Sequence, residues 1–530
     1  MIKILLNWFS VAKNLIFQFI PVFIFLVFAL FFGFNEILYK DSVDLFLSAV
    51  ILSAISLALF RSWIMQVWNA LSLVIISSIS FLKISFYYLF QSKLDTSALY
   101  VVFESNQSES ISFLSTYVDG FIVVLLLILI LNFVYALLYN FKNTSKYKLF
   151  QFDLKNLGIA ILCLALAFIS YKFIQIKIKK YNLVYLIEDA YISYHQIQNS
   201  FQNELTATEN PCLDLEITEN PQTLVLVIGE STSAKHMSLY GYYRPTNPKL
   251  SEISEELIVF EDVISPAAHT IPALNALLTF ECENGLASLI QLANQAGFKT
   301  FWISAQQPIG MNDTLVTTIA NAADVTEFPN AMNIGQSFDS LLFEPYRKAL
   351  AEEHNQKLIV LHLNGTHLKY EDRYPPEFNV FKDQPQTKFE SEQSKIQINT
   401  YDNAVLYNDF VVSEFIKRLK STNVNSKLLY LSDHGDEVFQ DIDFVGHNGY
   451  YSTNAMLHVP FILWSSDPNE NFEQWKTFTK RRYIFDDFVH SFADLVGIEF
   501  ENFQAKRSIF NSNFEYKPRI TKQNKNYDAP

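Results

Sequence analysis

Three short apolar runs in this chain end in side chains that can hold a metal ion. Leu428 to Leu431 closes on Ser432-Asp433-His434-Gly435, Leu224 to Ile228 runs into Gly229-Glu230-Ser231-Thr232, and Leu358 to Leu363 runs into Asn364-Gly365-Thr366-His367. Runs this short, rich in Leu, Ile and Val and stopped by small or polar residues, describe strands buried on both faces of a parallel sheet. In open α/β sheets ligands bind beyond the carboxyl ends of the strands. Glu230, Asp433, His434 and His367 delivered to one such edge predict a metal site of oxygen and nitrogen donors. Any one of these endings alone would be an ordinary loop; three together argue for a site. The chain has three cysteines and no Cys-x-x-Cys pair, so a metal must be held by carboxylates and imidazoles.

Such a site needs a nucleophile, and two hydroxyl segments offer one. Ser231-Thr232-Ser233 directly follows Glu230, and His269-Thr270 opens an apolar stretch, Ile271 to Phe280, that predicts a helix. A hydroxyl at a helix N-terminus sits beside backbone N–H groups that stabilise a phosphate. Thr270 would serve equally well as a plain helix cap, and composition does not choose between these roles.

Alternating elements must position these residues. Lys299 to Ser304 and Val459 to Trp464 add strand candidates, and Leu286 to Gln295 and Tyr401 to Lys420 predict helices between strands. Strands alternating with helices over about 300 residues suffice for one α/β domain with a full core. We place this domain at 216–515. Within it Lys382 to Lys395 reads as an exposed loop, and Asn511 to Pro530 as weakly ordered, with 516–530 a tail.

The first third is built differently. Five apolar segments, Leu15 to Phe34, Val43 to Phe60, Val67 to Phe90, Phe121 to Phe141 and Leu154 to Ile174, are each near or above the roughly 18–20 residues that cross a bilayer. They predict a membrane domain over 1–175, with Lys83 and Asn132 facing the bundle interior or snorkelling. The first segment lacks a small-residue cleavage site and reads as a retained anchor. Lys3, Lys13, Arg61, Lys142, Lys146, Lys148 and Lys155 put the N-terminus and the even loops in the cytoplasm and the α/β domain outside; Lys177, Lys179 and Lys180 run against that orientation. Residues 176–215 form a bridge. Its Tyr181 to Phe201 stretch has helical spacing suited either to the membrane interface or to packing on the α/β domain. A net charge of −14 at pH 7 with no basic stripe argues against nucleic acid. Cys163 lies in a span, leaving Cys212 and Cys282 as the pair that could join outside the cytoplasm.

The motifs carry a family resemblance. Val227-Ile228-Gly229-Glu230-Ser231-Thr232 with Met237-Ser238-Leu239-Tyr240-Gly241-Tyr242, Ser265-Pro266-Ala267-Ala268-His269-Thr270, Gly365-Thr366-His367 with Arg373-Tyr374-Pro375, Tyr401-Asp402-Asn403, Ser432-Asp433-His434-Gly435-Asp436-Glu437, Gly446-His447 and His458-Val459-Pro460 together resemble the bacterial phosphoethanolamine transferases. That family has about five transmembrane helices followed by a periplasmic α/β/α sandwich of alkaline-phosphatase/sulfatase type, in the bacterial inner membrane. The resemblance implies that Glu230, Thr270, Asp433 and His434 bind Zn2+, with Thr270 the nucleophile. It implies that His367 and His447 hold a second zinc, bind phosphoryl oxygens or protonate the leaving alkoxide; His458, beside a strand-like run, reads as structural although the resemblance includes it. For His447 the competing expectation is a structural surface histidine. Ser105 and Glu109 resemble the contact to the ethanolamine group, a solvated polar loop being the alternative. The implied reaction takes phosphoethanolamine from phosphatidylethanolamine, a membrane lipid, onto Thr270 and then to lipid A or lipopolysaccharide core.

Two departures matter. Lipid A members carry several disulfides in the catalytic domain, where this chain can form at most one. The segment His269-Thr270-Ile271-Pro272 to Leu277-Leu278-Thr279-Phe280 looks more like the branch acting on core heptose. A phosphoglycerol transferase of the same superfamily would share these ligands, as would the relic of an enzyme retained in a non-catalytic membrane sensor. A sulfatase needs a Cys or Ser converted to formylglycine, which Thr270 cannot supply. A transporter would need paired broken helices.

Overall fold

The computed structural model describes residues 2–529 apart from 59–62, 97, 100–101, 103–106, 144–153, 206–209, 211–212, 218–221, 283–284, 307–314, 331–336, 449–450 and 468–469. The chain divides into two compact units, Met1–Phe103 with Leu114–Tyr194, and Glu104–Phe113 with His195–Pro530.

The first unit is helical. Its helices α1 (Ile2–Phe31), α2 (Glu36–Ala58), α3 (Trp63–Phe90), α4 (Gly120–Asn143) and α5 (Leu154–Lys177) fall on the five apolar segments. Among the described residues three stretches are long and apolar enough to cross a membrane, Ile64–Phe90, Gly120–Tyr139 and Leu157–Lys177, and the apolar part of α1 runs over Leu15–Phe31. Leu162, Phe168 and Ile169 are more than half exposed, as lipid-facing side chains would be. Polar groups turn inward. Lys83 is buried and donates to Asp41 at 2.6 Å, to Asp44 at 2.7 Å and to the carbonyl of Tyr181 at 2.8 Å. Asn182 donates to the other oxygen of Asp44. Of the two expectations for Lys83, the bundle interior holds, because three acceptors there replace water. Asn132 likewise donates inward, to the carbonyl of Phe17. Most of the basic side chains used for the orientation argument, Lys3, Lys13, Arg61, Lys142, Lys146, Lys148 and Lys155, lie outside the described side chains. Next comes α6 (Leu183–Leu205); along its first turns Val184, Ile187, Tyr191 and Ile192 are exposed at helical spacing.

The second unit is built on a seven-stranded sheet. Its strands are β1 (Gln222–Gly229), β2 (Leu257–Val259), β3 (Lys299–Ser304), β4 (Val325–Glu327), β5 (Gln356–His362), β6 (Ser426–Ser432) and β7 (Phe461–Ser465), in the order β2-β7-β6-β1-β5-β3-β4. From β6 to β4 all neighbours are parallel, while β7 and β2 pair antiparallel at one edge. All eight residues of β1 are buried, the two-faced burial its apolar run predicts. The central register sets Gly229 against Ser432 and Ile228 against His362, so the three predicted strand endings emerge side by side.

Two helices matter for the site, α7 (Thr270–Leu278) and α8 (Glu392–Lys420). The latter starts inside the segment expected to be a loop, because Ser391 and Ser394 close a reciprocal cap there that apolar periodicity does not reveal. Leu286 to Gln295 splits, Gly285–Ser288 pairing as a strand before a helix over Leu289–Gln295. The C-terminal segment is also packed: Phe514 lies against the core, and buried Arg519 binds Asp262 and Asp528. Cys163 is free and Cys282 is half of a disulfide, whereas Cys212 lies outside the described residues.

Asp409 on α8 accepts the backbone N–H groups of Lys249 at 2.8 Å and Leu250 at 3.0 Å. Burial outweighs these bonds and pushes its carboxyl up to about 7 from 3.8. The folded chain therefore keeps a proton that the unfolded chain releases. The stabilisation from this group is complete below pH 3.8 and is lost as pH rises through about 7. Asp409→Asn should remove that component, flattening the fall in urea midpoint between roughly pH 5 and 8.

Candidate metal centre

The close register of β1 and β6 brings Glu230 and Asp433 out on adjacent strands, each 1% exposed, with His434 wholly buried beside them. His434 Nε2 lies 3.2 Å from Glu230 Oε1 and 3.5 Å from Asp433 Oδ2. Thr270 Oγ1 lies 3.2 and 3.4 Å from the two Glu230 oxygens and 3.3 Å from His434 Nε2. Donor atoms of Glu230, Asp433 and His434 all fall within 4.8 Å of one another. Asp433 Oδ1 accepts the N–H groups of Ser231 and His434, while Oδ2 is buried with no hydrogen-bond partner. An orphaned carboxylate oxygen facing a second carboxylate is a place for a cation.

The electrostatics agree. Burial and the charge of Glu230 push the Asp433 carboxyl well above the usual carboxylate range. Burial opposes charge on Glu230 as well, but the hydrogen bond and charge of His434 overcome it and hold Glu230 well below that range. Burial would keep His434 neutral, yet Asp433 and then Glu230 push it up to about 10. A proton on the imidazole thus stands where a metal's charge would serve both carboxylates. Two carboxylates, one imidazole and a hydroxyl are oxygen and nitrogen donors that suit a four-coordinate zinc-type ion.

Of the two hydroxyl segments, Ser231, Thr232 and Ser233 are fully buried. The hydroxyl of Ser231 donates to Glu230 Oε1 and that of Ser233 to the carbonyl of Ala455. Thr270 is half-buried and is the first residue of α7, with His269 as the capping position. The plain-cap expectation for Thr270 therefore fails by one residue.

Close approaches hold this edge. Tyr401 Oη donates to the carbonyl of Ser231 and accepts the N–H of Ser233, clamping a loop in which Ser231 has φ +59°. Gly365, at φ +54°, packs so tightly that a Cβ would lie 2.6 Å from the backbone N and O of Glu230. The N–H of Thr366 then reaches the Glu230 carbonyl at 2.9 Å. Behind that turn, buried Asp339 accepts Asn364 N–H at 2.8 Å and Gly365 N–H at 3.0 Å. Gln306 donates to Glu230 Oε2 at 3.3 Å.

His447 Nδ1 donates to Asp436 Oδ1 at 2.8 Å, and Tyr370 Oη donates to the other Asp436 oxygen. The ring of His447 packs 4.4 Å from that of His434. His434, Asp436 and His447 make a second group of donors within 4.8 Å. His447 is thus oriented by a carboxylate, unlike a surface histidine. His367 is half-buried and lies in neither donor group among the described residues; burial, against the charge of Glu230, drops its imidazole to about 4. His458 Nε2 donates to the carbonyl of Glu261, a structural bond. Ser105 and the side chain of Glu109 lie outside the described residues. Asp339, Asp436, Gln306 and His269 had no role assigned from sequence. Asp436 and His269 carried a signal, the one three residues beyond Asp433 and the other directly before Thr270; Asp339 and Gln306 are joined to the site by the fold alone.

The sulfatase family model matches residues 222–498, more than half of the chain. The chain belongs to the sulfatase family. Within it, the phosphoethanolamine transferase EptC of Escherichia coli K12 is 35% identical over 355 residues, covering 61% of this chain and 60% of that protein. The phosphoethanolamine transferase EptA of Helicobacter pylori is 28% identical over 464 residues, covering 83% and 84%. The chain thus spans about three fifths of the length of the E. coli EptC it matches. The crystallised C-terminal periplasmic domain of E. coli EptC superposes with a TM-score of 0.57 at 33% identity, covering 60% of this chain and 97% of that domain, and the same domain has been solved in complex with Zn. Full-length lipooligosaccharide phosphoethanolamine transferase A of Neisseria meningitidis, at 19% identity, shares the fold over 94% of this chain with a TM-score of 0.65. The expected architecture, a helical membrane domain followed by a sulfatase-type α/β/α sandwich, is therefore met.

Asp339→Asn replaces one of two acceptors with a donor facing a backbone N–H, an unmade bond costing about 1–3 kcal/mol. We expect the Gly365 turn to loosen against Glu230 and metal affinity to fall roughly 10- to 100-fold, the usual effect of losing a group that orients a ligand. Asp339→Glu should not restore it. Metal content of variant and wild type prepared in parallel checks this.

Proposed function

We propose that this chain is a zinc-dependent phosphoethanolamine transferase of the bacterial inner membrane, with a cytoplasmic N-terminus, five spans and a periplasmic catalytic domain. Phosphatidylethanolamine is the donor and lipid A or lipopolysaccharide core the acceptor. The observation that carries this reading is the half-open Thr270 hydroxyl, within 3.4 Å of both Glu230 oxygens and of His434 Nε2. The matches to EptC and EptA supply the substrate class, and the membrane-length helices suit a donor that stays in the bilayer.

Glu230, Thr270, Asp433 and His434 would hold the zinc. When bound, it lowers the pKa of the threonine hydroxyl and offsets phosphate charge. Thr270 Oγ1 attacks the phosphorus of the lipid, and the bond from phosphorus to the diacylglycerol oxygen breaks. The proton lost by Thr270 passes through an imidazole to that oxygen, and diacylglycerol leaves. His447 suits the shuttle, since Asp436 fixes its Nδ1–H and leaves Nε2 for the proton. An acceptor hydroxyl then attacks the phosphoethanolamine carried on Thr270, giving up its proton by the same imidazole, and Thr270 is regenerated. His367 sits beside this path as a phosphoryl-binding group, and His447 with Asp436 and His434 could take a second zinc. Ser105 and Glu109 are assigned to the ethanolamine ammonium, where a carboxylate balances its charge.

Intact mass spectrometry of the full-length protein in lipid nanodiscs, with zinc and phosphatidylethanolamine, tests the proposal. A phosphoethanolamine-sized mass gain is expected on wild type and absent in Thr270→Ala. A glycerol-phosphate gain from phosphatidylglycerol would move the chain to the phosphoglycerol transferases. No gain from either lipid would count against catalysis through Thr270. Separately, Glu230→Gln should lower bound zinc to well under one per chain in elemental analysis, while Thr270→Ala, which leaves the buried carboxylates and imidazole in place, should retain most of it.

A further inference from the structure

His269 places an imidazole next to the nucleophile with no role inside the protein. It takes an extended backbone conformation at the start of α7, and its side chain does not cap the helix. Both ring nitrogens are shut off from solvent and neither meets a hydrogen-bond partner among the described residues. Buried polar groups in this condition cost stability that a phenyl ring of similar size would not. Orphaned polar atoms of this kind call for a specific explanation. The ring packs edge-on against His447, centroids 5.2 Å apart at 84°, and His447 packs in turn against His434. Three imidazoles thus pack in series, and the last of them, His434, lies 3.3 Å from the hydroxyl of Thr270. The other two are already engaged within the protein, His447 through Asp436 and His434 through the carbonyl of Gly435. Of the three, His269 alone has both nitrogens unengaged among the described residues.

We propose that His269 donates a hydrogen bond to a non-bridging phosphoryl oxygen of the group transferred through Thr270, which makes it a phosphoryl-contacting residue of the reaction. This inference rests on Thr270 being the nucleophile. An imidazole N–H beside the phosphorus supplies a directional donor where negative charge accumulates, and it leaves the metal's donor set untouched. The same argument excludes a purely packing role, which Phe would fill with less desolvation.

His269→Phe and His269→Gln in the full-length protein test this, with three readouts: the rate of adduct formation on Thr270 from phosphatidylethanolamine, bound zinc, and binding of inorganic phosphate to the zinc-loaded protein. In His269→Phe we expect zinc content unchanged and the thermal midpoint equal or raised. Adduct formation and phosphate affinity should both fall roughly 10- to 100-fold, the effect of one hydrogen bond to a charged oxygen. His269→Gln, which can still donate, should recover part of both. Phosphate binding and adduct formation within about 2-fold of wild type in His269→Phe would overturn the proposal. So would zinc loss in step with activity, which would make His269 a metal ligand, or a drop in thermal midpoint that Gln does not repair. If wild type forms no adduct with phosphatidylethanolamine while His269→Phe still weakens phosphate binding, the donor assignment fails and the His269 contact stands.

Discussion

The constraint on which the second unit depends is two carboxylates, Glu230 and Asp433, buried side by side at the end of two hydrogen-bonded strands. Neighbouring negative charges in a low-dielectric pocket repel strongly, so a cation between them or a proton on one of them relieves this edge. In the protein alone Asp433 is pushed well above the usual carboxylate range, and the carboxylates push His434 up to about 10 despite burial. The rest of the edge keeps the carboxylates from escaping this arrangement. Asp433 Oδ1 is fixed by two backbone N–H groups, and Glu230 is wedged by the turn at Gly365, where no side chain fits. On the far side Gly435 approaches Ala455 so closely that a Cβ would lie 2.3 Å from its carbonyl oxygen. Glycines at these two points are therefore part of the charge arrangement, since any bulk would part the strand ends that hold the carboxylates together.

This explains which features the sequence made legible. A strand buried on both faces must be apolar along its length, and a group at its carboxyl end must be polar to leave the core. Leu224–Ile228, Leu358–Leu363 and Leu428–Leu431 therefore announced both the sheet and its functional edge, and the motif resemblance added Thr270. The supporting groups are legible only in three dimensions. Asp339 lies 25 residues from the turn it fastens and 109 from Glu230, in a segment whose pattern marks neither strand nor helix. His269 looks like any residue before a helix until its ring is seen without a partner. The first turns of α8 were missed because Ser391 and Ser394 cap it through side-chain bonds among polar residues, where hydrophobic periodicity is silent. The C-terminal segment was missed for a related reason: Arg519 is anchored by Asp262 and Asp528, and charge pairs across long separations leave no local trace.

The first unit obeys the opposite rule. Apolar content placed its helices directly, since a bilayer demands little else of a lipid-facing surface. What composition did not predict is the polar cluster of Lys83 with Asp41, Asp44 and Asn182. One ammonium satisfied by two carboxylates and a backbone carbonyl costs desolvation but fixes how α2, α3 and the start of α6 pack. Removing any member would leave the others buried and unpaired. The disulfide at Cys282 adds a covalent tie in the second unit, and a bond of this kind persists in an oxidising compartment, as expected of a domain outside the cytoplasm.

Burial also gives the site a direction. Glu230, Asp433 and His434 are sealed at 1% exposure or less, whereas Thr270 is half-buried and the side chain of His447 is 21% exposed. Among the described residues, the open approach to the centre lies on the side of Thr270 and His447. On that side the Thr270 hydroxyl stands first, with the charged pocket behind. On the proposal that Thr270 is the nucleophile, threonine would need no conversion to formylglycine. Its hydroxyl lies within 3.4 Å of two carboxylate oxygens and an imidazole nitrogen, so a cation held among them would act on that oxygen itself. In the proposed transfer this oxygen must become a good leaving group again in the second half of the reaction. A cation held by Glu230, Asp433 and His434 would offset its alkoxide charge, so one arrangement would serve both attack and release.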